Sequence, residues 1–306
     1  MKIDVIIPTY KPGKELFDLL DRLENQSLPV NKIILMNTER RFFEGLISEE
    51  EFASRYANVE VHHLKKEEFD HGATRHAGVQ CSDADVFILM TQDAMPVDGN
   101  LTENLTKHLN GRVAAAYGRQ LPRENCTLPE RISREFNYPE RTVQKGSEDL
   151  ERMGIKTYFC SNVCAAYRRE IYDEMGGFIR HTIFNEDMIF AAGAIQKGYL
   201  ISYEADAKVI HSHNFTCMQQ LHRNFDLGVS QADHPEIFSG VKSESEGKKY
   251  VKSTIKALVD HKKPYLIPGF ILQCCFKYAG YLAGKRYRML PAGLVRALSD
   301  NKSYWK

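Results

Sequence analysis

Lys2-Ile3-Asp4-Val5-Ile6-Ile7-Pro8-Thr9-Tyr10 is the stretch that decides the fold. Residues 2–8 are a β-branched, apolar run, the pattern of a strand buried on both faces. Lys11-Pro12-Gly13 breaks the run. Leu16, Leu19, Leu20 and Leu23 then recur at helical spacing and predict an amphipathic helix over 14–25. Apolar runs at 32–36, 59–64 and 86–90 repeat the strand signal, with a helical stretch at 73–81 and a further strand at 113–117. Strand, helix, strand, helix in this order implies an α/β fold, a mainly parallel sheet flanked by helices. Ligands of such sheets sit at the carboxyl ends of the strands, so the residues that follow each strand are the ones to inspect.

Beyond 113–117 the pattern loosens. Residues 119–157 are polar, charged and weakly periodic, punctuated by Pro122, Pro129 and Pro139, and read as a long functional loop. Order is expected again at 158–167. A helix over 168–175 ends at Gly176-Gly177, a helix over 186–197 stops at Gly198, and two short strands follow at 200–203 and 207–210.

Composition narrows the function classes. The chain has 306 residues, 43% hydrophobic and 26% charged, with a net charge of +1. That charge argues against nucleic acid as a partner. Seven cysteines without paired metal spacing read as reduced, mostly buried thiols. The opening MKIDVIIPTY has no basic segment followed by an apolar helix and small residues, so it reads as a strand, not an export signal.

Four segments carry chemistry. Thr91-Gln92-Asp93-Ala94-Met95-Pro96 puts an acid at a strand's carboxyl end, where it can hold a divalent cation beside a diphosphate or simply cap a turn. Glu186-Asp187 opens an apolar helix, where the helix dipole stabilises carboxylates and where Asp187 can also serve as a general base. His211-Ser212-His213 places two imidazoles on one side of an extended segment, as metal ligands or as a surface pair. Arg75, in Asp70-His71-Gly72-Ala73-Thr74-Arg75-His76, is a phosphate partner or a solvated helix charge.

The order of these segments resembles the family-2 type of nucleotide-sugar glycosyltransferase with a Rossmann-like GT-A fold, over about residues 1–235. Phe69-Asp70-His71-Gly72-Ala73-Thr74-Arg75, Thr91-Gln92-Asp93-Ala94, His211-Ser212-His213-Asn214 and Phe225-Asp226-Leu227-Gly228-Val229 are most similar to bacterial rhamnosyltransferases. The resemblance implies that Pro8, Thr9 and Tyr10 line the nucleotide pocket and that Asn37, Thr38 and Glu39 lie near the base or ribose. It puts Arg75 and Gln92 beside the donor and makes Asp93 the metal-binding acid, with His211 or His213 completing an Mg²⁺ or Mn²⁺ site. Asp187 matches the catalytic base, and Ser161, Asn162 and Glu186 fall near the donor sugar or acceptor. Two departures stand out: Asn37 replaces a frequent acid, and the usual Asp-x-Asp is reduced to Thr91-Gln92-Asp93.

The implied reaction is inverting transfer of a sugar, rhamnose from dTDP-rhamnose by the resemblance, onto a hydroxyl of a glycan or lipid-linked glycan. Another UDP- or GDP-sugar is the alternative donor. A non-catalytic sugar-nucleotide-binding module is expected to have lost Asp93 or Asp187, and a nucleotidyltransferase is expected to have a Gly-rich loop where Pro8-Thr9-Tyr10-Lys11-Pro12 stands. Residues 236–306 read as a helical extension. Its apolar stretch at 265–276, followed by Lys277, Lys285, Arg286 and Arg288 among Tyr278, Tyr281 and Tyr287, suits a helix lying on an anionic membrane surface or a core helix with a basic face. The resemblance implies a cytoplasmic protein peripheral to the inner face of the cell membrane.

Overall fold

The computed structural model describes residues 1–240 and 244–305. Its first half alternates as the sequence predicts: β1 (Ile3–Tyr10), α1 (Glu15–Glu24), β2 (Lys32–Thr38), α2 (Arg40–Glu44), α3 (Glu49–Arg55), β3 (Val59–Leu64), α4 (His71–Gln80) and β4 (Val86–Met90). β5 (Met95–Pro96), α5 (Leu101–Thr106), β6 (Val113–Leu121), α6 (Leu128–Asn137), β7 (Val143–Lys145), α7 (Leu150–Met153), β8 (Cys164–Arg168), α8 (Arg169–Glu174), α9 (Glu186–Gln196) and β9 (Leu200–Ile210) complete the sheet and its flanks.

The strand order is β3-β2-β1-β4-β8-β6-β9-β5, with β7 also on β9. β3, β2, β1 and β4 are parallel to one another. β8 is antiparallel to both neighbours, so the sheet is parallel in its first half and mixed in its second. Alternation sorts β1 between two cores. Ile3, Val5 and Ile7 face α1, and Ile6 faces the opposite layer with Val79, Phe87, Tyr172 and Phe190. The four leucines of α1 are at most 1% exposed, and each such burial contributes about 1.5–3 kcal/mol.

Four sequence expectations change. The strand expected at 113–117 runs on to Leu121, because it pairs in parallel with β9 along its whole length. The two strands expected at 200–203 and 207–210 are one, with an irregularity where the register jumps from Gly118↔Glu204 to Arg119↔Lys208. Gly118 is required at that point, since a Cβ there would lie 2.7 Å from the Ala207 carbonyl. The expected loop over 119–157 contains α6, β7 and α7. Order over 158–167 is strand only from Cys164. Of the seven cysteines, all unpaired, Cys160 and Cys164 are buried, four are half-buried and Cys275 is exposed.

The C-terminal region is helical: α10 (Cys217–Asp233), α11 (Pro235–Phe238), α12 (Glu244–Asp260), α13 (Ile267–Lys285) and α14 (Ala292–Leu298). α10 and α13 cross closely, because Gly280 and Gly284 let α13 lie against the carbonyls of Leu221 and Phe225. α12 covers α6 through Leu258, Ile132 and their neighbours. Among the described residues one stretch, Pro264–Lys285, is long and apolar enough by length and composition to cross a membrane, which is longer than the apolar run at 265–276 suggests.

Candidate active site

Two strand ends build one cluster. Asp93 follows β4, and His211 and His213 follow β9, whose pairing with β6 continues through the bond from the His211 amide to the Leu121 carbonyl. One ligand atom from each of the three residues lies within 4.8 Å of the others. Asp93 Oδ2 is 3.5 Å from His211 Nε2 and 3.2 Å from His213 Nε2, and the two Nε2 atoms are 3.1 Å apart.

Gln120 sets the state of this cluster. Arg134 Nη1, which can only donate, reaches Gln120 Oε1 at 2.7 Å, so the amide oxygen faces it. His211 Nδ1 lies 3.0 Å from the same oxygen and must therefore carry the proton, which leaves Nε2 as a bare lone pair towards Asp93. Burial pushes His211 down to about 3, so the imidazole is neutral, the form that ligates metal. Burial works against the Asp93 carboxylate, but the hydrogen bond from His213 and the two imidazoles hold it well below the usual range. Anion, lone pair and second imidazole fit a divalent cation.

Gln120 also joins this cluster to the acid pair. Its Nε2 donates to Ser161 Oγ at 3.0 Å. The next residue, Asn162, donates its backbone N–H to Asp187 Oδ2 and its side-chain amide to Glu186 Oε1, each at 3.0 Å. Asn185, in the left-handed conformation that asparagine tolerates, turns the chain into α9 and is tied to Ser230 of α10. Glu186 and Asp187 thus sit in the first turn of α9, in unlike environments. Glu186 is buried and bound by Arg75 at 3.2 Å; burial opposes its charge, but Arg75 and His71 keep it ionised. Asp187 makes no ion pair among the described residues, and Arg75 acts on it only weakly. Burial, and next the charge of Glu186, push it up to about 7.

A profile for "Glycosyl transferase family 2" matches residues 4–176. The chain belongs to glycosyl transferase family 2. The glycosyltransferase is 39% identical over 313 residues to the O-antigen chain rhamnosyltransferase RfbN of Salmonella typhimurium, covering 100% of this chain and 96% of that one. It is 38% identical over 310 residues to WbaN of Salmonella anatum, also an O-antigen chain rhamnosyltransferase, covering 98% and 95%. Among solved structures, the mannosyltransferase PcManGT of Pyrobaculum calidifontis, in complex with GDP-Man and Mn²⁺, shares the fold with a TM-score of 0.58 at 15% identity, over 99% of this chain and 84% of that one. Residues 1–349 of S. aureus TarS match with a TM-score of 0.52 at 16% identity, over 94% and 92%.

The donor-side residues of the glycosyltransferase are placed less simply than expected. Tyr10 is exposed, and its backbone N–H and carbonyl are clasped by the Gln92 amide at 3.0 Å each, so β1 ends beside Asp93. Thr9, Asn37 and Thr38 are buried beneath that edge: Thr9 bonds Asn37, and Asn37 bonds His63. Glu39 lies at the rim of a hollow bounded by Arg40, Arg41, His63, Leu64 and Lys65. Arg75 is buried, and its guanidinium pairs with Glu186. Gln120 and Arg134 carry no signal in the sequence, because β6 has no strand pattern beyond Tyr117 and α6 has no clear helical one.

Proposed function

We propose that the glycosyltransferase moves L-rhamnose from dTDP-rhamnose onto a hydroxyl of an O-antigen-type glycan or its lipid-linked precursor, with inversion at the transferred carbon. The observation that carries this is the chain of contacts from the Asp93, His211 and His213 cluster through Gln120 and Ser161 to the next residue, Asn162, whose amide holds Asp187. It links a cluster fit to hold a cation with a carboxylate of raised pKa. The sugar and acceptor rest on the names of the two Salmonella relatives.

In this reading Asp187 takes the proton of the acceptor hydroxyl as that oxygen attacks the anomeric carbon from the face opposite the diphosphate. A base that titrates near 7 is matched to this task at neutral pH, and such assistance is worth about 10²–10⁴-fold. The backbone amides of Asn162 and Met188 each hold one oxygen of Asp187 and fix its direction. Asp93, His211 and His213 would hold the cation, whose charge offsets that of the departing diphosphate. Two imidazoles suit Mn²⁺ better than Mg²⁺, which prefers an all-oxygen shell, and the mannosyltransferase of like fold was solved with Mn²⁺. His213 takes over as a ligand where Thr91 replaces the first acid of the usual pair.

Residues 1–235 are assigned to catalysis and 236–306 to contact with the cytoplasmic face of the cell membrane. Supporting this, α13 and its flanks expose Tyr265, Leu272, Tyr278 and Met289 together with Lys263 and Lys285, a mixture suited to anionic headgroups. Co-flotation with phosphatidylglycerol vesicles tests that assignment, and a protein left at the bottom of the gradient rejects it.

The decisive experiment is release of nucleoside diphosphate from a panel of dTDP-, UDP- and GDP-sugars with Mn²⁺ and a glycan acceptor. Turnover is expected with dTDP-rhamnose. Asp187→Asn is expected to keep donor affinity and lose at least about 10²-fold in kcat. Wild-type rates in that variant would remove Asp187 from the mechanism, and turnover only with another donor would remove rhamnose.

A further inference from the structure

Arg223 on α10 and Lys277 on α13 are half-buried cations that make no hydrogen bond or ion pair with any described residue. Both lie over aromatic rings. The Arg223 guanidinium lies 4.9 Å from the centre of Phe215 and 5.4 Å from that of Phe184, and Lys277 Nζ lies 5.5 Å from that of Tyr250. Gln273, one helical turn before Lys277, donates to the Phe215 carbonyl and so brings this face of α13 to the same place. Phe215 in turn stacks on His213 at 4.9 Å, and His213 meets Asp93.

The nearby carboxylates are committed elsewhere or exposed. Asp226 accepts from the backbone amides of Asp300 and Asn301, Glu130 pairs with Arg134, Asp93 belongs to the metal cluster, and Asp300 is at the surface. Burial first, then repulsion from Arg134 and between the two cations, holds Lys277 below its ordinary value; burial and Arg134 do the same to Arg223. Two half-buried cations without a carboxylate partner, whose nitrogens still reach solvent, are placed to take an anion from outside.

We propose that Arg223 and Lys277 hold a phosphate or diphosphate group carried by the acceptor, at a second anion site separated from the metal cluster by the rings of His213 and Phe215. The outer face of α13, with Leu272 and Tyr278 exposed, then offers an apolar path for the chain that bears that group. This deepens the functional reading above and rests on it for the identity of the acceptor.

Two acceptors with the same sugar test it, one linked through farnesyl diphosphate and one through farnesol. The wild-type enzyme is expected to favour the first. Arg223→Gln and Lys277→Gln should each lower the ratio of the two kcat/KM values by about ten- to a hundredfold, the worth of a charge-assisted hydrogen bond, and Arg223→Lys should restore part of it. An unchanged ratio overturns the proposal. So does a loss of dTDP affinity by the same factor, which would give the anion to the donor.

If the wild-type enzyme glycosylates neither acceptor, the functional reading fails, and calorimetry decides the site by itself. With dTDP and Mn²⁺ present, farnesyl diphosphate should bind the wild-type chain and not the two Gln variants, and farnesol should bind neither. Equal binding of farnesyl diphosphate by all three refutes the site. Loss in the variants of binding to phosphatidylglycerol vesicles alone assigns the cations to a lipid headgroup and also refutes it.

Discussion

Replacing Glu186 by Gln is expected to move the acid limb of kcat to lower pH. Asp187 is pushed from 3.8 to about 7 by burial and, next, by the charge of Glu186. The charge of the adjacent Glu186 is the second cause after burial, so its removal takes away only part of the rise, and ~1.4 kcal/mol moves a titration by one pH unit. Glu186→Gln removes that charge, keeps an acceptor for the Asn162 amide, and leaves the Arg75 cation acting alone on Asp187. The limb near 7 should therefore fall by about 1–2 pH units. The base becomes ionised at lower pH and weaker, so the plateau rate also drops. Arg75→Gln removes the opposing cation and should move the limb the other way. The stability signs differ between the two acids. Asp187, raised in the folded state, binds its proton more tightly there, so its contribution is lost as pH rises from about 4 to 7. Glu186, lowered beside Arg75, contributes above its unfolded pKa and loses that contribution as pH falls. Glu186→Gln strands a buried cation and should cost about 3–5 kcal/mol in urea unfolding. The assay is kcat from pH 5 to 9 with saturating donor and acceptor. Limbs that move together in the two variants, or a limb at 7 that stays in place, would refute the coupling.

Gln120→Leu frees His211 Nδ1 from its acceptor and should weaken Mn²⁺ binding by about 10–100-fold in calorimetry; undiminished affinity would show that the tautomer is fixed by other means. Gly284→Val drives a side chain onto the Phe225 carbonyl between α10 and α13 and should lower stability by about 1–3 kcal/mol or more, read as a drop in the urea midpoint; an unchanged midpoint would deny the close crossing. Lys145 is buried with its ammonium on Tyr117 and two backbone carbonyls, and burial lowers it from 10.5 to about 7. The unfolded chain binds more protons between those values, so stability should rise from pH 7 to 10; Lys145→Met should flatten this slope, and a slope equal to that of the wild type would contradict the burial.

The parallel half of the fold was legible because each of its elements carries its own pattern. The β1 run and the leucines of α1 need no distant partner to be recognised. α6 was not, although Leu128, Ile132 and Phe136 recur at four-residue spacing. Among Glu130, Arg131, Arg134 and Glu135 that stripe looks like chance, and its burial is supplied by α12, more than a hundred residues away. The same holds for β6 beyond Tyr117. Gly118-Arg119-Gln120 has the composition of a turn, and only pairing with β9 keeps it extended.

The site divides along the same line. Asp93, Asp187 and the two histidines were legible because they stand at element ends, where position alone selects for chemistry. The residues that set their protonation were not, because each acts through a partner remote in sequence. Gln120 matters through His211, 91 residues on, and Arg75 through Glu186. Arg75 shows how position misleads. On the exposed face of a helix N-terminus an arginine reads as a phosphate ligand, but the loop before α9 covers α4. The Asp70 carboxylate accepts from the amide of Thr182, and Gly72 leaves no room for a Cβ against Ile179. That contact closes Arg75 into the interior, where its charge keeps Glu186 ionised and so leaves the single exchangeable proton to Asp187.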